Sequence, residues 1–258
     1  MNPRVFVSHP VSVGMTMEVS GEDGHHFARV LRVEVGEPMA VASGGRGYLG
    51  TVTAVDAKQG RLSIAVEAEL PSHEPEVRVY LVQALAKGDK IDFILQHNTE
   101  VGAAGFLLLP TSRSIVRLDD KKRASKLERW SKVVQEAASQ SQRDVVPPVE
   151  FAADVAAALD WVRERHPLCV LFLDESSDGT IGLATAVDRC TDAAQRTEGV
   201  ALVVVVGPEG GWTDEERDLW MRGCAAIRTS LGLRTLRTET AGLAATAAVL
   251  HHYRQLGG

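Results

Sequence analysis

Only three cysteines occur in the 258 residues, at Cys169, Cys190 and Cys224, and none sits in a Cys-x-x-Cys arrangement. An odd, widely spaced set argues against a disulfide framework and against a zinc site, leaving reduced structural thiols as the expectation. No stretch reaches the eighteen or more apolar residues of a membrane span. The opening Met1-Asn2-Pro3-Arg4-Val5-Phe6 has no basic segment leading into an apolar one, so the sequence reads as cytoplasmic, without a membrane role. Internal repeats and low-complexity tracts are missing too. So is an excess of basic charge: the net charge is -6, which as an average speaks against a nucleic-acid partner.

That average hides a local reversal. From Thr111 to Arg143 nine basic residues (Arg113, Arg117, Lys121, Lys122, Arg123, Lys126, Arg129, Lys132 and Arg143) face four acidic ones (Asp119, Asp120, Glu128 and Glu136). A stripe of this kind suits RNA phosphates, although a solvated helix face has the same composition.

The 45% hydrophobic content allows a substantial core, and its texture changes along the chain. Up to about Leu70, short alternating runs such as Met15, Met17 and Val19, or Leu62-Ser-Ile-Ala-Val66, are broken by turn clusters at Ser43-Gly-Gly-Arg-Gly47 and Lys58-Gln-Gly60. This reads as a small antiparallel barrel. The polar, proline-bearing Pro71-Ser-His-Glu-Pro75 marks a boundary, giving domains at residues 1–72 and 76–258. Beyond it, Val77 to Val82, Gly105 to Pro110, Leu168 to Asp174 and Val200 to Val206 are apolar enough for strands covered on both faces. Helical segments near 88–101, 119–142, 154–165 and 213–223 separate them, predicting an α/β domain with a parallel sheet.

Two late segments carry the chemistry. Gly207-Pro-Glu-Gly-Gly-Trp212 follows an apolar strand and precedes Thr213-Asp-Glu-Glu216, a capping box that starts a helix. A glycine loop between a strand's carboxyl end and a helix is where α/β folds place ligands. The loop has neither glycine pattern of the nucleotide-phosphate motifs, and Glu209 would repel phosphate while suiting ribose hydroxyls or a cationic ligand. The alternative is a turn that happens to contain glycines. The second segment, Ser230-Leu-Gly-Leu-Arg-Thr-Leu-Arg-Thr-Glu-Thr-Ala-Gly-Leu243, leads into an alanine-rich helix running to His251 and His252. Its polar cluster is denser than packing requires.

Gly207-Pro-Glu-Gly-Gly-Trp212 followed by Leu231-Gly-x-x-x-Leu-Arg-Thr-Glu-Thr-Ala241 resembles the cofactor-binding signature of the SPOUT methyltransferases. More narrowly, the chain is similar to the RsmE family of 16S ribosomal RNA uridine-N3 methyltransferases. His25-His-Phe-Ala-Arg-Val-Leu-Arg32, Gln83 to Lys90, Gln96 to Gly102, Thr111 to Ser114 and Glu136 to Ser141 resemble further blocks of that family, so the likeness covers essentially the whole chain. It departs at His97 and Asn98, where a lysine and a small residue are usual, and at Trp212, where phenylalanine is commoner.

The resemblance implies a PUA-like β-barrel RNA-binding domain followed by a SPOUT-type parallel-sheet domain whose carboxyl-terminal segment threads a trefoil knot. Periodicity alone would not find a knot, because such crossings are nearly absent from folds. It further implies a homodimer, S-adenosyl-L-methionine as cofactor, no metal, and 16S rRNA of the 30S subunit as partner. The cofactor pocket is expected from Val206, Gly207, Pro208, Glu209, Gly210 and Gly211, joined by Ser230, Leu231, Gly232, Leu236, Arg237, Thr238 and Ala241. RNA contacts are expected from Arg4, His26, Arg29, Arg32, Arg113, Gln140 and Arg143. Methylating N3 of uridine removes a proton and spreads negative charge over the carbonyls, so Arg237 is the candidate to stabilise it and Glu239 or Glu100 the candidate base, with water as the alternative. Arg237 and Glu239 could instead pair to hold their loop. The His25-His26 and His251-His252 pairs point their side chains apart and lack a third ligand, so satisfied histidines are expected rather than a metal site.

Overall fold

A computed structural model describes residues 2–116, 118–176, 178–194 and 199–256. Arg117, one of the nine basic residues above, lies outside the described residues. The chain divides into two compact units, Met1–Glu74 with Ala138–Val146, and Pro75–Ala137 with Pro147–Gly258.

The first unit holds β1 (Arg4–Val7), β2 (Thr16–Val19), α1 (Gly21–His25) running into a π-helical turn (His26–Leu31), β3 (Pro38–Ser43), β4 (Arg46–Asp56) and β5 (Arg61–Glu69). They form a five-stranded sheet in the order β1-β3-β4-β5-β2. Alternation along β2 and β5 sends Met17, Val19, Leu62, Ile64 and Val66 into a core shared with Val5, Met39, Val41, Val52 and Phe27. The sheet differs from the expected antiparallel barrel in one pairing: β1 runs parallel to β3, Arg4 opposite Ala40. A parallel pair needs a long crossover rather than a tight turn, and here the chain between its two strands also supplies β2 and the helical segment. That segment crosses β5 closely at Gly24, where a Cβ would lie 2.3 Å from the carbonyl oxygen of Gly60.

Residues 138–146 are held within this unit by buried charge. Arg4 donates to Asp144 Oδ1 at 2.5 Å and to the Arg143 carbonyl at 2.8 Å, with both side chains of the Arg4–Asp144 pair wholly buried. Glu74 accepts from the Arg143 guanidinium and from the amides of Asp144 and Val145, and the His73 amide donates to Asp144 Oδ2. Each carboxylate thus has several donors, the condition under which a buried ion is tolerated.

The second unit is α/β. In chain order it contains β6 (Arg78–Ala84), α2 (Lys90–Val101), β7 (Gly105–Leu109), α3 (Asp120–Gln140, its last turn counted with the first unit), β8 (Val149–Phe151), α4 (Val155–Glu164), β9 (Cys169–Leu173), β10 (Ile181–Gly182), α5 (Leu183–Ala194), β11 (Ala201–Val206), α6 (Asp214–Cys224), β12 (Ile227–Ser230) and α7 (Thr238–His252). Its seven-stranded sheet has the order β10-β12-β9-β11-β6-β7-β8, and every pairing is parallel. Strands β7, β9 and β11 are buried at every position, as expected for strands covered on both faces. One face packs against α4 and α6 through Phe172, Trp212, Trp220 and Trp161. On the other, α7 lies over β6 and β11, close enough at Gly242 that a Cβ would sit 3.3 Å from Leu81.

The cysteines correct an expectation. Cys169 at the start of β9 and Cys190 in α5 are joined as a disulfide, their Cα atoms 5.8 Å apart, and only Cys224 is free. Burial pushes the Cys224 thiol up to about 11. The bonded pair lies 21 positions apart in sequence, and their meeting depends on how α5 returns along the sheet, which spacing does not reveal.

Candidate functional site

Because all seven strands are parallel, the loops that follow β6, β7, β9, β11 and β12 emerge at one edge of the sheet. This carboxyl edge is the customary ligand position of α/β folds. The loop 207–213 after β11 lies at its centre, since β11 sits between β9 and β6. Its far end is set by the expected capping box: the Thr213 side chain accepts from the Glu216 amide, and Glu216 Oε2 accepts from the Thr213 amide at 3.1 Å. The second oxygen of Glu216 takes the Ser112 amide at 2.7 Å, linking the loop after β7 to the same helix start.

The two signature segments meet through a buried chain of hydrogen bonds. Gln83, at the end of β6 and fully buried, donates to Thr238 Oγ1 at 2.9 Å, and that hydroxyl donates to the Gly207 carbonyl at 2.7 Å. The first turn of α7 is thereby fixed against the start of the glycine loop. At Gly211, φ is +69° and a Cβ would lie 2.4 Å from Glu175 Oε1, so the loop after β9 closes on this turn as well. At Gly210 the nearest atoms belong to Arg113, whose guanidinium donates to the Gly210 carbonyl at 2.9 Å.

A lysine ties the edge together. Lys90 Nζ lies 2.9 Å from Glu209 Oε1 and 3.3 Å from Glu239 Oε2. Its pKa is raised, first by the hydrogen bond to Glu209, with partial burial opposing and Glu239 adding to the rise. For Glu209, burial favours the neutral acid, but the Lys90 ammonium together with backbone amides outweighs it and holds the carboxyl below its ordinary range. Glu239 also has Arg237 Nη1 at 3.9 Å, a loose contact because the Arg237 side chain is largely exposed. Farther along the edge, buried Asp174 accepts from Arg217 Nε at 2.8 Å and Arg228 Nε at 3.0 Å.

Among the expected cofactor residues, Val206 to Gly211 and Thr238 are thus brought together directly. Ser230, Leu231 and Gly232 form a turn after β12, closed by the Gly232 amide donating to Ser230 Oγ at 3.2 Å. Leu236 and Ala241 flank the start of α7, both half-buried. Of the expected catalytic residues, Arg237 and Glu239 lie at this edge. Glu100 does not: it is ten residues beyond Lys90 in the same helix, about 15 Å along the axis, where it accepts from Gln96.

The expected RNA residues separate into two groups. His26, Arg32, Arg113 and Gln140 are exposed, as is Arg29, which donates to the carbonyls of Ala57 and Lys58. Arg4 and Arg143 are corrections, because both are buried and bound to Asp144 and Glu74 and present no face to a ligand. Composition counts charges without distinguishing a surface arginine from one neutralised inside. The sequence reading also left Gln83, Lys90, Asp174 and Glu175 unassigned. Asp174 and Glu175 directly follow an apolar strand, the one local signal that would have found them.

Most cations at this edge are already engaged among the described residues: Lys90 with Glu209 and Glu239, Arg113 with the Gly210 carbonyl, and Arg217 and Arg228 with Asp174. Among the described residues no group of three or more histidine, cysteine, aspartate or glutamate side chains is arranged to hold a metal ion. The arrangement fits a neutral or cationic organic ligand with hydroxyl groups.

Comparison with known proteins agrees with that chemistry. Residues 73–250 match the family model described as an RNA methyltransferase domain. The chain is 32% identical over 244 residues to ribosomal RNA small subunit methyltransferase E of Bacillus subtilis, covering 94% of this chain and 93% of that one. Identity to the enzyme of the same name from Mycobacterium tuberculosis is 35% over 249 residues, covering 95% and 89%. Among solved structures, the Neisseria gonorrhoeae ribosomal RNA small subunit methyltransferase E bound to S-adenosyl methionine superposes with a TM-score of 0.79 at 31% identity, covering 97% of each chain.

Proposed function

From the premise that this chain belongs to the RNA methyltransferase family, we propose that it transfers a methyl group from S-adenosyl-L-methionine to N3 of a uridine in 16S rRNA of the small ribosomal subunit. The observation that carries this reading is the junction of the two signature segments at the carboxyl edge, through Gln83, Thr238 and Gly207. The side chains are compatible with it as well: an acceptor such as Glu209 suits the hydroxyls of a nucleoside, while the carboxylates of the edge already take up its lysine and two of its arginines.

S-adenosylmethionine, when bound, supplies an electrophilic methyl group on a cationic sulfur. The residues that would hold it are Val206 to Gly211, Ser230 to Gly232, and Leu236 to Thr238 with Ala241. Glu209 would accept from ribose hydroxyls, and Leu231 and Leu236 would exclude water. Arg237, exposed at the start of α7, is free to swing toward a uracil whose carbonyls gain negative charge. Glu239, beside it, or a water molecule takes the N3 proton. Because N3 lies on the pairing edge of the base, the uridine must be unpaired or extruded to react. His26, Arg29, Arg32, Arg113 and Gln140 form the RNA-contacting set in this reading.

The same reading makes the first unit a PUA-like RNA-binding domain and the protein a cytoplasmic homodimer. It also gives the segment from β11 to α7 a trefoil knot. A strand order in which β11 lies between β9 and β6 while β12 lies beyond β9 supports that crossing.

The test is to incubate the protein with labelled S-adenosylmethionine and small subunits from an unmodified strain, then identify the product nucleoside by mass spectrometry. N3-methyluridine is expected. Methyl on another base, or on a ribose hydroxyl, overturns the assignment.

A further inference from the structure

Lys90 is the first residue of α2, a position where the helix dipole favours an anion over a cation. Its placement is explained by its partners. The ammonium lies between Glu209 of the loop after β11 and Glu239 in the first turn of α7, at 2.9 and 3.3 Å. Glu239 Oε2 is buried, and Lys90 is the cation nearest to it. Both oxygens are held by one nitrogen and so lie within about 6 Å of each other, close enough for two uncompensated carboxylates to repel strongly. The other groups facing the pair are the Lys87 amide, 3.3 Å from Glu209, and Arg237, 3.9 Å from Glu239 and mostly exposed.

We propose that Lys90 is a positioning residue for methyl transfer: it neutralises Glu209 and Glu239 jointly and fixes the glycine loop to α7, so the loops rather than a bare carboxylate pair orient the donor's positive sulfur. This rests on the reading that these loops hold S-adenosylmethionine. Without the lysine, two negative charges at the mouth of the site would attract the sulfonium and draw it from the line of transfer. S-adenosylhomocysteine lacks only the transferred methyl and with it the positive charge on sulfur, so a change in preference between the two ligands from wild type to variant reports on the environment of that cationic methyl rather than on the rest of the pocket.

The experiment titrates both ligands calorimetrically into the full-length wild type, Lys90→Met and Lys90→Arg, and measures kcat on small subunits. In Lys90→Met the preference for the cationic ligand over the neutral one should rise about tenfold while kcat falls at least about tenfold; Lys90→Arg should stay within about threefold of wild type in both. Equal loss of affinity for both ligands in Lys90→Met, or an unchanged kcat, would reduce Lys90 to a structural tether and overturn the proposal. Failure of the wild type to bind either ligand would instead remove the underlying reading, and the role of Lys90 with it.

Discussion

Two ion clusters of this chain use similar groups in opposite surroundings. Around Arg4 and Asp144 in the first unit the side chains are wholly buried, whereas Lys90, Glu209 and Glu239 keep 30, 32 and 16% of their side-chain surface. A buried pair is already desolvated, so removing one partner strands the other, while in a cluster that keeps part of its surface in water the loss of a partner is screened. Burial therefore separates the arginines that hold a fold from the cations able to serve chemistry, a division the net charge of the chain conceals.

The sharpest way to break this comparison is Asp144→Ala. It leaves Arg4 buried without its carboxylate and should destabilise the protein by about 3–5 kcal/mol, measured by denaturant titration, whereas Lys90→Met should cost no more than about 1 kcal/mol. Equal losses would erase the distinction. Next in size is Gly24→Ala, whose added methyl meets the Gly60 carbonyl and should cost about 1–3 kcal/mol without changing affinity for S-adenosylmethionine. Arg32, exposed and held in a left-handed conformation at φ 54°, should behave unlike buried Arg4. Arg32→Ala is expected to weaken RNA binding and lower its salt slope by about one, with no shift in melting temperature. An unaltered salt slope would remove Arg32 from the RNA set.

The smallest expected effect concerns pH. Glu209 is depressed below 4.5, so the stability it contributes is complete above that value and is lost as pH falls through its lower folded value. The stability difference between wild type and Glu209→Gln should accordingly be flat above pH 4.5 and shrink below it. A difference that grows on acidification would show that Lys90 is not what holds the carboxylate ionised.

Much of the second unit was legible because its signals are local. Four runs of apolar residues gave β6, β7, β9 and β11, and Thr213 with Glu216 forms the capping box its spacing implies. What escaped depends on distant partners. Nothing around Val5 announces a parallel pairing with Val41, and nothing around Cys169 announces Cys190. Short β8, β10 and β12 have three, two and four residues, too few to establish a period. At the site, glycines and the Thr238-Glu239 pair were visible as motif. Lys90 was visible only as the end of the Gln83 to Lys90 block, without a role, because its meaning lies in two acids more than a hundred residues away. Arg4 and Arg143 were misread for the converse reason: a cation in sequence carries no mark of the acid that buries it.

Growing crystals in the presence of S-adenosylmethionine tests the central claim most directly. The account predicts the donor between the loop 207–211 and the turn 230–237, with Glu209 on its ribose and Lys90 still beside Glu239. Donor density elsewhere on the protein, with those two segments packed against each other and closed, would contradict it.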